Sequence, residues 1–211
     1  MAHIILLGDS IFDNGVYVPG GPDVVKQLRE VLPTGWSASL LAVDGAITRS
    51  VASQMTRLPA DATHLVLSVG GNDALGASHL LSSSVRSVGE AVLMLAEAQD
   101  RFTYDYESML ETVLSVELPT AVCTIYDTPE SAPQHRIIKA ALSLFNDRIT
   151  RAAFSRGLPL IDLRLICNEE GDYANPIEPS VQGGAKMAGA IANLLTGGQD
   201  GGPRSQVVAR P

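Results

Sequence analysis

Five short apolar runs, at residues 4–7, 37–42, 64–69, 121–125 and 158–161, are each followed by a segment of helix length. Runs this short and this rich in Ile, Leu and Val read as buried parallel strands. Their alternation with longer segments is a βαβ rhythm, which places helices on both faces of one sheet. Apolar residues recurring three and four apart predict those helices over 22–31, 49–56, 85–116, 137–156 and 183–195. The expected fold is therefore α/β, a three-layer α/β/α sandwich around a five-stranded parallel sheet. Within 85–116 a break or kink is expected around residues 102–105, because Thr103, Tyr104 and Asp105 are middling helix formers.

The remaining composition sets bounds. A chain of 211 residues with 45% hydrophobic content fits one domain with a full core, placed at residues 1–196. Beyond Thr196 the residues turn to Gly, Gln, Pro, Arg and Ser, which bury little apolar surface, so 197–211 is expected to be a flexible tail. No internal repeat is visible. A formal net charge of -8 disfavours nucleic acid, whose recognition needs clustered Lys and Arg. No charged leader precedes the first strand and no apolar stretch is long enough to cross a bilayer, so the expectation is a cytoplasmic chain without a membrane span. Cys123 and Cys167 make neither a metal spacing nor a disulfide framework and read as reduced structural residues. Oligomeric state stays open.

Chemistry concentrates where strands end. The first run, His3 to Leu7, empties into Gly8-Asp9-Ser10-Ile11-Phe12-Asp13-Asn14, delivering a serine hydroxyl at a carboxyl strand end, the edge where open α/β sheets bind ligands. After the third run comes Ser68-Val69-Gly70-Gly71-Asn72-Asp73. Its glycines let the backbone approach a substrate, and the Asn72 amide can donate to a developing oxyanion. The same residues also fit a Gly-Gly turn with Asn72 and Asp73 capping a helix. After the second run Gly45 sits in a strand-to-helix loop, where a glycine also serves simply for its φ freedom.

The run Gly8 to Asn14 resembles the first signature block of the SGNH (GDSL-type) hydrolases, and Ser68 to Asp73 resembles the third. The resemblance implies a flavodoxin-like sheet, Ser10 as nucleophile, and an oxyanion hole formed by the N–H groups of Ser10 and Gly45 and the side chain of Asn72. It implies a small ester as substrate, an acyl-enzyme on Ser10, and no cofactor or metal. The family draws its base from a late block in which an Asp is followed three residues later by a His. Here that stretch reads Asn175-Pro176-Ile177-Glu178, so Asn175 stands at the Asp position and Glu178 at the His position. A carboxylate base is better held by a donor amide than by an acid, which makes the pair of changes coherent.

Three readings follow from the missing histidine. Glu178 takes the Ser10 proton, its pKa raised by burial from about 4.3 toward the useful range of about 6–7. Alternatively His135, after the fourth strand, reaches over the serine; as a bland residue it is exposed in the first turn of the next helix. In the third reading the chain is a catalytically impaired binding protein on the same fold. Asp9, Gly71 and His135 complete the candidate substrate-contacting set, although Asp9, Asp13 and Asn14 equally fit a role in fixing the turn through backbone hydrogen bonds. Phe12, Tyr17, Leu75 and Tyr126 lie on loops suited to line a pocket. His3, His64 and His79 read as surface or edge positions, and Asp162 as structural.

Overall fold

The computed structural model describes residues 1–197 and 207–208. Most of the tail expected over 197–211 therefore lies outside the described residues. Five strands, β1 (Ala2–Gly8), β2 (Trp36–Leu40), β3 (His64–Ser68), β4 (Thr120–Cys123) and β5 (Leu160–Ile161), form a parallel sheet of order β2-β1-β3-β4-β5. The helices are α1 (Val24–Val31), α2 (Val51–Met55), α3 (Gly71–Gly76), α4 (Val88–Leu114), α5 (His135–Arg156), α6 (Leu163–Ile166) and α7 (Val181–Thr196). A small antiparallel hairpin, β6 (Tyr173–Asn175) and β7 (Glu178–Pro179), precedes α7.

Strand periodicity divides the core. Ile4 and Leu6 point to one face, where they pack with Val24, Leu28, Met187 and Ile191 of α1 and α7. Ile5 and Leu7 point to the other, under Val51, Tyr106, Leu110 and Ile149 of α2, α4 and α5. Successive side chains on opposite faces are what a strand buried on both sides requires. The three-layer α/β/α arrangement expected from the sequence is the one observed.

From β1 the chain turns to β2 on one side and then crosses to β3 on the other, so the strand order reverses beside β1. That switch point opens a crevice at the carboxyl ends of β1 and β3. Register fixes its dimensions, with Gly8 opposite Ser68. Gly8 has φ +127°, and a Cβ there would lie 1.7 Å from the Ser68 carbonyl oxygen, so only glycine fits. Gln54 of α2, itself buried, grips both backbone groups of Gly8, accepting from its N–H at 2.8 Å and donating to its carbonyl at 2.7 Å.

One expectation fails. α4 runs unbroken for 27 residues through the predicted break at 102–105. Phe102 and Tyr106, one turn apart, are both buried, and the Phe102 ring meets Phe145 of α5 edge-on at 5.1 Å. Burial of two aromatic side chains outweighs propensity differences of a few tenths of a kcal/mol. Phe102 also underlies the third-strand loop, since a Cβ on Gly70 would come within 3.1 Å of its ring. Phe102→Ala is expected to cost about 3–5 kcal/mol and to lower the denaturant midpoint without changing the helical content of the remaining folded protein; an unchanged midpoint would show that the ring supports neither helix nor loop.

Candidate active site

The Gly8-Asp9-Ser10 segment turns sharply once clear of the sheet. The Asp9 N–H still donates to Ser68 at 3.1 Å, and the Asp9 carbonyl accepts from both Phe12 and Asp13. The Asp9 carboxylate accepts the Ile11 N–H at 3.1 Å, an Asx turn that closes the loop around Ser10. Ser10 is left at the apex, and its N–H makes no hydrogen bond among the described residues.

Opposite the serine stands Glu178. The Ser10 hydroxyl donates to Glu178 Oε1 at 3.1 Å across 168 positions of sequence. Three contacts from distant elements hold the hairpin that carries this carboxylate. Asn14, wholly buried, donates to the Pro179 carbonyl and accepts the Val24 N–H. The Tyr126 hydroxyl donates to the Ile177 carbonyl at 2.8 Å, and the Thr128 hydroxyl to that of Pro176 at 3.0 Å. Behind them, buried Asp172 takes Lys186 and Gln182 on its carboxylate and fixes the hairpin against α7.

Asn175 differs from its expected role. Its side-chain oxygen accepts the Ile177 N–H at 3.0 Å, tightening the hairpin turn, and its amide makes no bond to Glu178. Glu178 Oε2 is buried without a partner among the described residues. A two-residue turn between paired Asn175 and Glu178 consumes the short Asn side chain locally.

Two carboxyl groups therefore flank Ser10 in low dielectric. Burial pushes Glu178 up to about 7, against the pull of the Ser10 hydroxyl and aided by the charge of Asp44. Burial likewise pushes Asp9 up to about 7, opposed by the Ile11 N–H and reinforced by the charges of Glu178 and Asp73. Asp73 is occupied elsewhere, accepting from both the N–H and the hydroxyl of Thr48 at 2.9 Å.

A cavity of about 390 Å³ opens beside the serine. Asp9, Ser10, Gly71, Asn72 and Glu178 stand along its polar edge, while Leu75, Leu81, Ile125, Tyr126, Leu142 and Phe145 are among the apolar side chains forming the rest. That size and balance suit a small organic ligand. Asn72 donates to the Ala46 carbonyl at 2.9 Å, tying the third-strand loop to the turn bearing Gly45 and leaving its second amide hydrogen uncommitted. Gly45 has φ +76° and an N–H without a partner among the described residues, but it lies on the exposed turn outside the cavity lining.

The other sequence candidates divide. Leu75 and Tyr126 line the cavity, Phe12 is in the core, and the Tyr17 hydroxyl donates to Asp44. His135 meets the Thr128 carbonyl through Nδ1 at 3.0 Å and is not among the lining residues, whereas its neighbour Gln134 is. His3 meets Ser39 on the neighbouring strand, His64 and His79 have local partners in Thr63 and Gly76, and Asp162 pairs with Arg164. Both cysteines are buried and free. Asn14, Thr128 and Asp172 were missed as positioning residues.

Residues 6–185 match the model of the GDSL-like lipase/acylhydrolase family. The chain belongs to that family. Similar solved structures include the extracellular lipase of Streptomyces rimosus, 18% identical with a TM-score of 0.64, covering 93% of this chain and 99% of that one. The phospholipase A1 of Streptomyces albidoflavus NA297 is 17% identical with a TM-score of 0.64, covering 93% and 98%. A lipolytic G-D-S-L family protein of Veillonella parvula is 15% identical with a TM-score of 0.68, covering 93% and 99%. Likeness at these identities concerns the fold. No curated protein matches the chain in sequence.

Raised carboxyl pKa values in this family member carry a stability consequence. A group whose folded pKa lies above its unfolded value of about 4 favours folding at low pH and loses that contribution as pH rises toward 7. Asp9→Asn and Glu178→Gln are each expected to melt at higher temperature than wild type at pH 8, the gain being on the order of a few kcal/mol at most for Asp9 and smaller for Glu178. The gain should shrink toward pH 4. Thermal melts across that range check it; equal Tm at pH 8 would mean that burial does not disfavour either charge.

Proposed function

We propose that the protein is a serine ester hydrolase in which Glu178 replaces the usual histidine base. The observation that carries this reading is the buried hydrogen bond from Ser10 to Glu178 Oε1 at 3.1 Å, on a carboxyl group whose pKa lies near 7. A carboxylate titrating there is half ionised at neutral pH, the range in which a general base is most effective.

In the proposed reaction Ser10 Oγ forms a bond to the ester carbonyl carbon while its proton passes to Glu178 Oε1. The carbonyl oxygen takes the negative charge. The Ser10 N–H and the Asn72 amide hold it, joined by the Gly45 N–H if the exposed turn closes over substrate; one such donor is worth roughly 2.7–4 kcal/mol. Protonated Glu178 then gives its proton to the departing alkoxide as the C–O bond breaks, leaving an acyl group on Ser10. Water then attacks the acyl carbon while its proton passes to Glu178, and as the bond from that carbon to Ser10 Oγ breaks Glu178 returns the proton to Oγ, releasing the acid and restoring both groups. Asp9, Gly71 and Asn175 serve as supporting residues around this pair. The apolar cavity is the place for the acyl chain, so an uncharged ester with a short-to-medium aliphatic acyl group is the substrate class.

The competing reading is a protein that binds an ester without cleaving it, favoured by the departure from histidine. Hydrolysis of p-nitrophenyl esters from acetate to octanoate across pH 5 to 9 separates the two. Wild type is expected to show kcat/KM rising with pH through an apparent midpoint near 7, since the base must be ionised. Ser10→Ala should abolish turnover, and Glu178→Gln should lower kcat by about 10²–10⁴-fold and remove that limb. Wild type no faster than Ser10→Ala gives the binding reading; an unchanged limb in Glu178→Gln removes Glu178 as the base.

A further inference from the structure

The start of α4 is the least covered part of that helix. No residue from Val88 to Glu97 is buried, and the first buried side chain of the helix is Ala98. A solvated helix end normally presents charged and polar residues, yet Glu90 and Glu97 are the only ionisable groups in this stretch. Val88 is 81% exposed, Val92 58% and Leu93 60%, and exposed Leu75, Leu81 and Val85 precede them in the chain. Apolar exposure concentrated in one segment marks an interaction surface.

Two observations identify what it meets. The same segment builds the cavity wall, because Leu75, Leu81 and Leu95 line it. A partner seated on the exposed side chains therefore adjoins the cavity that Ser10 and Glu178 border, so it must tolerate passage of a ligand. A lipid surface does this, whereas a second protein chain would obstruct it. Charge gives the second argument. On a chain of net charge -8, residues 74–89 contain no carboxylate and only His79 and Arg86 as ionisable side chains. Glu90, the next acid, is paired with Arg86, accepting its N–H at 2.7 Å. The segment thus carries no net charge to be repelled by headgroup phosphates, and too few basic residues to require anionic lipid.

We propose that residues 75–95 form a docking face for a zwitterionic phospholipid surface, with Val88, Val92 and Leu93 entering the boundary between headgroups and acyl chains. Side chains of this kind at the end of a helix supply the apolar area that interfacial binding depends on. The purpose of the face, delivery of an acyl ester into the cavity, rests on the hydrolase reading; docking itself does not.

Flotation of the full chain carrying Ser10→Ala with phosphatidylcholine vesicles tests docking in the absence of turnover. The protein should float with the vesicles, and adding Val88→Ser, Val92→Ser and Leu93→Ser should reduce the bound fraction about tenfold or more, a loss of roughly 1.4 kcal/mol or greater. The same three changes with Ser10 intact should leave Tm and hydrolysis of a short soluble ester within about twofold of wild type, since none of the three lines the cavity. Absence of flotation, or equal flotation by the triple variant, overturns the proposal. So does a dimer in size-exclusion chromatography that the triple variant splits, which assigns the face to a second copy. Flotation without ester turnover would sink the hydrolase reading and leave docking standing; turnover without flotation does the reverse.

Discussion

The close approach of β1 and β3 at Gly8 sets the geometry of everything around the serine. With no side chain at that position the two backbones come near enough for Asp9 to donate to Ser68 after the strand has ended. The chain then reverses at once, and Ser10 stands clear of the sheet with its N–H unpaired among the described residues. Any larger residue would push β1 away from β3, and the Gly70-Gly71-Asn72 loop would move with it, because that loop begins two residues beyond Ser68. Gln54 adds a second restraint from the helical layer. The side-chain amide replaces the hydrogen bonds that Gly8 would otherwise seek from another strand or from water.

Beyond that constraint, the site depends on a carboxyl group being tolerated in a poorly solvated position. An ionised Glu178 has one oxygen bound by Ser10 and the other buried without a donor among the described residues. A histidine base avoids this cost, since neutral imidazole carries no charge to desolvate and its second nitrogen is satisfied by an acid. In the glutamate arrangement the cost appears instead as a raised pKa, and on the proposed reading that is the useful property. The Asp9 carboxyl is buried too, and its pKa is raised chiefly by that burial, with a smaller contribution from the charge of Glu178.

Fold and site were unequally legible. The five strands, their flanking helices and the serine turn are local features, written in short apolar runs and in Gly-rich junctions that periodicity and turn chemistry detect. Glu178 could be singled out by its place in the late block, but nothing local shows that its hairpin is held by Asn14, Tyr126 and Thr128, residues 165, 51 and 48 positions from their partners. Asn14 looked like a turn residue because Asn usually bonds its own neighbourhood, and here it reaches across the molecule. Asn175 departs differently: expected to hold Glu178 three residues on, its side chain instead accepts from Ile177 and closes the turn between them. The predicted break in α4 has the same origin, for propensity is a property of a segment while the burial of Phe102 against Phe145 is not.

Basicity and substrate preference are physically linked in such a site. The apolar cavity wall that would hold an acyl chain is also the low-dielectric boundary that lifts the Glu178 pKa. On the proposed reading, an aliphatic chain filling the cavity would weaken the solvation of the carboxylate further, raising its proton affinity and moving the pH at which it ionises upward. On that reading longer acyl groups would gain through their own burial, at about 0.8 kcal/mol per methylene, and would shift the ionisation of Glu178 to higher pH. A histidine base would respond in the opposite sense, because desolvation disfavours the imidazolium that forms when it accepts the proton. Replacing histidine by glutamate thus makes the apolar character of the cavity part of the proposed proton-transfer step as well as of binding.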